Sequence, residues 1–181
     1  MKIAILAWGS LIWNKRELKI ASDWNKDGVK LPIEFSRISK DGRLTLVIDE
    51  KYGTLIETYW AISDGSDIEK SIKNLRQREG TINKRIGFLN LVDKEKNSHL
   101  SDVLIESIEQ WANENNISAV LWTDLPSNFK EKQGIDFSVE NAIRYLKSLD
   151  GEIKEKANRY IEESPKQTMT SLKKELSNAS A

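Results

Sequence analysis

Cysteine is missing from all 181 residues, and histidine occurs once, at His99. The first absence excludes disulfides, thiolate nucleophiles and cysteine-based zinc sites, and it suits a chain that folds without oxidative help. The second leaves a Ser-His-Asp arrangement only His99 to use, and it prevents two histidine ligands from meeting within one chain, so no metal centre is expected. An excess of charge of either sign is lacking too. With 28 basic and 28 acidic residues the formal net charge is zero, and without a sustained positive field nucleic acid is not an expected partner. Nor is there a long hydrophobic run. The apolar stretch from Ile3 to Trp13 is too short to span a bilayer, is interrupted by Gly9 and Ser10, and enters Asn14-Lys15-Arg16-Glu17 without a small-residue cleavage site. It reads as a buried first strand rather than a leader. The expected setting is the cytoplasm, away from membranes.

What is present fits one domain of moderate size. Ile3 to Trp8 is a nearly continuous apolar strand. Leu31 to Ile38 and Arg43 to Asp49 are strand-like runs joined by Ser39-Lys40-Asp41-Gly42, whose Asp-Gly pair tolerates positive φ and predicts a hairpin. Thr54 to Ile62 alternates as a further strand. A helix starts at Ser66, where Ser66-Asp67-Ile68-Glu69 fits a capping box, and Ile68, Ile72 and Leu75 share one face before the stop at Gly80. Arg85 to Val92 reads as a strand, Leu100 to Asn115 as a helix, and Ile117 to Thr123 as a buried strand. A loop lasts from Leu125 to Phe137. Ser138 caps the next helix, a last one runs from Glu152 to Glu163, and the polar stretch beyond Pro165 is expected to fray. Strands gathered in the first half and helices in the second predict an α+β fold.

Glu79 is the first candidate for chemistry. It lies in the last turn of its helix, where exposed carbonyls carry partial negative charge and a carboxylate is disfavoured. Arg76 and Arg78 follow the usual preference for cations there, so Glu79 is the exception in its own turn. One reading is a proton-transferring carboxylate tuned by the helix end and partial burial. The other is a surface glutamate neutralised by Arg76 or Arg78.

The second candidate is the loop Trp8-Gly9-Ser10-Leu11, where a strand ends in a residue without a Cβ and backbone N–H groups can face an oxyanion or a carboxylate. An ordinary strand-to-loop turn is the alternative. Ser10 as a nucleophile has little support, because there is no Gly-x-Ser-x-Gly elbow and His99 is the only imidazole. His99 itself sits in the polar stretch Lys96-Asn97-Ser98-His99, reads as a surface residue and is given no role. Of the six tryptophans only Trp8, Trp13 and Trp24 sit where a pocket can use them.

Taken together, Trp8-Gly9-Ser10-Leu11 after the first strand and Arg78-Glu79-Gly80 at the helix end resemble the paired signatures of the gamma-glutamylcyclotransferase-like superfamily. In that family the strand ends in Tyr-Gly-Ser followed by Asn or Leu, and a Glu-Gly pair follows the main helix. The resemblance covers about residues 3 to 92. It implies a small mixed β-barrel with flanking helices, within one domain over 1–165 whose core is 1–92, a helical C-terminal extension over 93–165, and a polar tail over 166–181. It also implies a reaction. The α-amino group of a γ-glutamyl substrate attacks its own γ-carbonyl, closes 5-oxoproline and releases an amine, with no cofactor. Glu79 would be the general acid/base, and backbone N–H groups of Gly9, Ser10 and Leu11, beside Trp8, would cradle the small-molecule γ-glutamyl substrate. Two positions depart from the family pattern. Trp8 replaces a tyrosine, and Ile86 stands where many members have another, so two polar groups are lost from the implied pocket.

Three expectations can be told apart. An enzyme needs Glu79 facing an accessible pocket, whereas a non-catalytic binding module would have Glu79 tied to Arg76, Arg78 or Arg85, or a filled pocket. A protein-interaction domain would show an apolar patch around the 125–137 loop and the C-terminal helices.

Overall fold

The computed structural model describes residues 1–180 and shows an α+β chain whose strands form two open sheets. Residues Met1–Lys30 and Glu57–Leu125 make one compact unit, and Leu31–Ile56 with Pro126–Ala181 make a second. The chain crosses between the units at 30/31 and 56/57, within strand segments, and at 125/126, in the irregular stretch that follows Thr123.

The first unit is built on strands β1 (Ile3–Ala7), β5 (Tyr59–Ile62), β6 (Ile86–Asn90), β7 (Glu95–Asn97) and β8 (Ala119–Thr123), and helices α1 (Ile68–Glu79) and α2 (Asp102–Glu114). The sheet order is β5-β1-β8-β6-β7. β1 and β8 run parallel, with Ile3 opposite Ala119 and Ile5 opposite Leu121. The other pairs are antiparallel. β8 thus enters the middle of the sheet from the segment expected to be an extension. All five residues of β1 are buried, as a strand covered on both faces requires. Ile3, Ile5 and Ala7 join Leu75 of α1 in the core. Alternation sends Leu6 to the other face beside its partner Trp60, whose ring meets that of Trp111 from α2 edge-on at 5.3 Å.

The second unit holds β2 (Lys30–Ile38), β3 (Leu44–Ile48) and β4 (Thr54–Glu57) in the order β3-β2-β4, with helices α3 (Phe129–Gln133), α4 (Val139–Ser148), α5 (Gly151–Glu163) and α6 (Ser171–Ala179). The hairpin turn forms where expected, with Gly42 at φ 83°. Phe35 packs edge-on against Tyr160, and Phe129 against Phe137.

Neither sheet closes, so the implied barrel is replaced by two open sheets. The reason is local to 54–62. The alternating run is two strands in different sheets, interrupted at the fully buried Thr58, whose hydroxyl donates to Val29 O at 2.7 Å. Thr58 N donates to the same oxygen at 3.3 Å and Thr58 O accepts from Gly28 N at 2.8 Å, so main chain and side chain both turn to the 28–29 segment at this residue.

The stretch beyond Pro165, expected as a polar tail, carries α6 over Ser171–Ala179, with Thr170 as N-cap and Leu172 wholly buried. The carboxylate of Glu34 on β2 accepts from Leu172 N, and Lys173 Nζ donates to the carbonyls of Ser164 and Pro165. Composition read this segment as a tail because its attachments are mostly polar. The last residue of the expected tail, 181, lies outside the described residues.

Candidate functional site

The first unit brings the two sequence motifs to one place. The N-cap of α1 is Asp67, not Ser66, since it is the Asp67 carboxylate that accepts Lys70 N at 3.1 Å. The helix stops at Gly80, where φ is 60° and the cap N–H reaches back to the last turn. A residue in this left-handed conformation is best supplied by glycine. Glu79 is therefore the last helical residue.

The buried face of α1 is Ser71, Leu75 and Arg78. Arg78 continues the apolar stripe inward, its side chain only 6% exposed, instead of serving the helix end from outside. Its Nη1 donates to Glu79 Oε1, and its Nη2 donates to Asn14 O and, at 3.2 Å, to Ser10 Oγ. Its Nε has no partner among the described residues. The sequence named Arg78 as a possible partner of Glu79 but not as a buried link to Ser10 and Asn14, although spacing held the signal: position 78 follows 75 by three, on the same stripe.

Glu79 is mostly enclosed, with its side chain 14% exposed. Oε1 is engaged by Arg78, while Oε2 has no hydrogen-bond partner among the described residues. The arrangement meets the expectation of an ion-paired glutamate and still leaves one oxygen for a ligand.

The loop after β1 winds into a short helical turn. Ile12 N donates to Gly9 O at 3.0 Å and Asn14 N donates to Ser10 O at 2.9 Å. The first N–H groups of such a turn have no partner inside it, and those of Gly9, Ser10 and Leu11 donate to no acceptor among the described residues. Trp8 and Leu11 are buried and support the turn, whereas Gly9 and Ser10 are half-buried. Ile86 is fully buried in the core cluster and faces no opening, so a polar group at that position would meet core rather than ligand.

His99 is more integrated than its surroundings in sequence imply. Its backbone N–H and its Nδ1 both reach Asp124 Oδ2, at 2.9 and 3.0 Å, and Trp122 Nε1 donates to Asp124 Oδ1 at 3.0 Å. Burial pushes the Asp124 carboxyl up, but the hydrogen bonds from His99 and Trp122 outweigh it and hold the group below its ordinary value.

Among the described residues no cluster of acidic or histidine side chains is arranged to hold a metal ion, and no helix is long and apolar enough to cross a membrane. The chain matches no protein-family model, no curated protein and no solved structure.

Proposed function

We propose that the first unit is a gamma-glutamylcyclotransferase-like catalyst that cyclises a γ-glutamyl amine or peptide to 5-oxoproline, with Glu79 as general acid/base. The observation that carries this reading is the guanidinium of Arg78, which links Ser10 of the first motif to Glu79 of the second. A carboxylate oxygen without a protein partner and a row of unengaged backbone N–H groups on the same few residues are the two components the reaction asks for.

In this reaction the substrate's α-ammonium first gives a proton to Glu79 Oε2 and becomes nucleophilic. Its nitrogen attacks the γ-carbonyl carbon, and negative charge develops on the carbonyl oxygen facing the N–H groups of Gly9, Ser10 and Leu11. The bond from that carbon to the leaving nitrogen then breaks. Two protons in all pass from the attacking to the leaving nitrogen through Glu79, so the amine departs as an ammonium and the lactam keeps one N–H. Nucleophile and electrophile belong to one molecule, so holding them in attack geometry supplies much of the rate. No protein nucleophile is needed, in keeping with a chain without cysteine and with a single histidine.

A second reading is favoured by the Arg78–Glu79 ion pair: a module that binds γ-glutamyl compounds at the same residues without turning them over. Release of 5-oxoproline from a panel of γ-glutamyl amines, γ-glutamyl dipeptides and glutathione separates the two. Turnover that disappears in Glu79→Gln while folding persists supports the enzyme. Binding without turnover in the wild type supports the module.

A further inference from the structure

The first unit carries an open cleft of about 720 Å³ between the segments 12–15 and 20–24. We propose that this cleft is a binding site for an acidic saccharide, a sugar ring that carries a carboxylate. None of its lining residues belongs to the Ser10–Arg78–Glu79 site, and the proposal does not depend on the reaction assigned to Glu79.

A site that keeps its shape without its ligand binds at lower entropic cost, and both walls are fixed by the fold. In the 12–15 wall Ile12 N donates to Gly9 O, Asn14 N donates to Ser10 O, and Asn14 O accepts from the buried Arg78. The 20–24 wall is pinned to β5. Ala21 N donates to Ile62 O and Asn25 N to Trp60 O, both at 2.8 Å, and Ser22 Oγ accepts from Ile62 N at 2.9 Å. Ser22 Oγ also donates to Asp23 O, so this hydroxyl serves the wall and not a ligand.

The lining defines the ligand chemistry. Most of the open surface is polar, because Ile12, Ile20 and Trp24 turn part of their apolar surface to the core cluster. A bulky apolar group would find little to cover there. The cleft offers three unengaged polar groups instead. Lys15 and Asp23 are exposed, and neither has an ion-pair partner among the described residues. The third is Trp24 Nε1, which has no acceptor among the described residues, although indole N–H groups in folded proteins usually find one. Those of Trp60, Trp111 and Trp122 do, at Asp27 Oδ1, Asp27 O and Asp124 Oδ1.

A uronic acid matches this set group by group. Its carboxylate pairs with the Lys15 ammonium in a charge-assisted bond. Two neighbouring hydroxyls donate to the Asp23 carboxylate, which can accept at both oxygens, and a third oxygen accepts from Trp24 Nε1 on the same wall. The half-buried Trp13 of the opposite wall covers the C–H face of the sugar, which is small and needs only one side of an indole. A neutral hexose leaves Lys15 without a counterpart. A purine nucleotide brings a phosphate for Lys15, but its base needs a wider stacking surface than this cleft opens. The volume lies within the range of roughly 300–1,000 Å³ usual for small-molecule sites.

The experiment titrates the isotopically labelled full-length chain with D-glucuronate, D-galacturonate, D-glucose and guanosine monophosphate. It follows the indole N–H resonance of Trp24, assigned by its disappearance in Trp24→Phe. At least one uronate should shift this resonance to saturation and bind about ten-fold or more tightly than D-glucose. Lys15→Gln should bring the affinity for that uronate down to the level of D-glucose, and Asp23→Asn should weaken both sugars by roughly ten-fold. Both side chains are exposed and unpaired, so these two variants should melt as the wild type does, and calorimetric titration of them keeps the test decisive if Trp24→Phe does not fold. No shift with either uronate overturns the site. So does a uronate affinity left unchanged by Lys15→Gln, or a shift produced by guanosine monophosphate alone.

Discussion

Arg78 Nη2 lies 3.2 Å from Ser10 Oγ while Nη1 of the same guanidinium is paired with Glu79. One buried cation thus ties the loop after the first strand to the end of the first helix. A guanidinium can do this where an ammonium cannot, because its fork directs several N–H groups at once in one plane.

Replacing Arg78 by methionine removes these bonds and leaves the mostly enclosed Glu79 carboxylate without its partner. Breaking a buried pair from one side costs roughly 3–5 kcal/mol, so the urea midpoint of Arg78→Met should fall well below that of the wild type. The double variant with Glu79→Gln should be more stable than Arg78→Met alone, since the uncompensated charge is gone. Equal midpoints for the single and double variants would show that the Glu79 charge carries no cost when left unpaired.

Asp124 makes the fold sensitive to acid. The folded carboxyl titrates below its ordinary value near 3.8, so its contribution is complete above that value and is lost as pH falls through the lower, folded one. Unfolding followed from neutral into acid conditions should show less loss in Asp124→Asn than in the wild type over that window. The variant should also be the less stable of the two at neutral pH, where the His99 and Trp122 bonds lose their anionic acceptor.

Glu34 has the opposite sign. Burial pushes its carboxyl above the ordinary 4.5, against the opposing bonds from Phe35, Thr170, Leu172 and Ser171. The folded state then retains this proton to higher pH than the unfolded chain, and stability declines as pH rises from about 4.5 through the raised value. Glu34→Gln should flatten that decline. A slope equal to the wild type over the same range counts against the assignment.

Leu172 is the one apolar anchor of α6 with no exposure at all. Truncation to alanine removes buried methyl groups and leaves a cavity, at about 2–5 kcal/mol. Amide exchange should accelerate first over Ser171–Ala179. Uniform acceleration across the whole chain would instead mean that α6 does not open separately.

Most elements were legible as local patterns. The buried run of β1, the hairpin around Gly42, the stripe on α1 and the Ser138 cap of α4 all depend on residues close in sequence. The break at Thr58 was not legible, because a β-branched residue in an alternating run looks like any other strand position until Val29 accepts its hydroxyl. The same holds for α6. Its anchorage comes from Glu34, 138 residues away from Leu172, and no window of sequence contains both. At the candidate site Glu79 and the Trp8–Leu11 loop could be named from their surroundings, whereas the inward turn of Arg78 could be suspected only from its spacing after Leu75.

By itself the sequence determined which chemistry is out of reach, through the absence of cysteine and the single histidine, and it determined the α+β class through its periodicities. Tertiary structure decided how the strands are shared between two open sheets, that β8 lies between β1 and β6, and that Arg78 serves Ser10, Asn14 and Glu79 together. The difference is physical. Periodicity and capping are set by neighbours a few residues apart, while burial of a charge becomes favourable only when distant segments supply its partners.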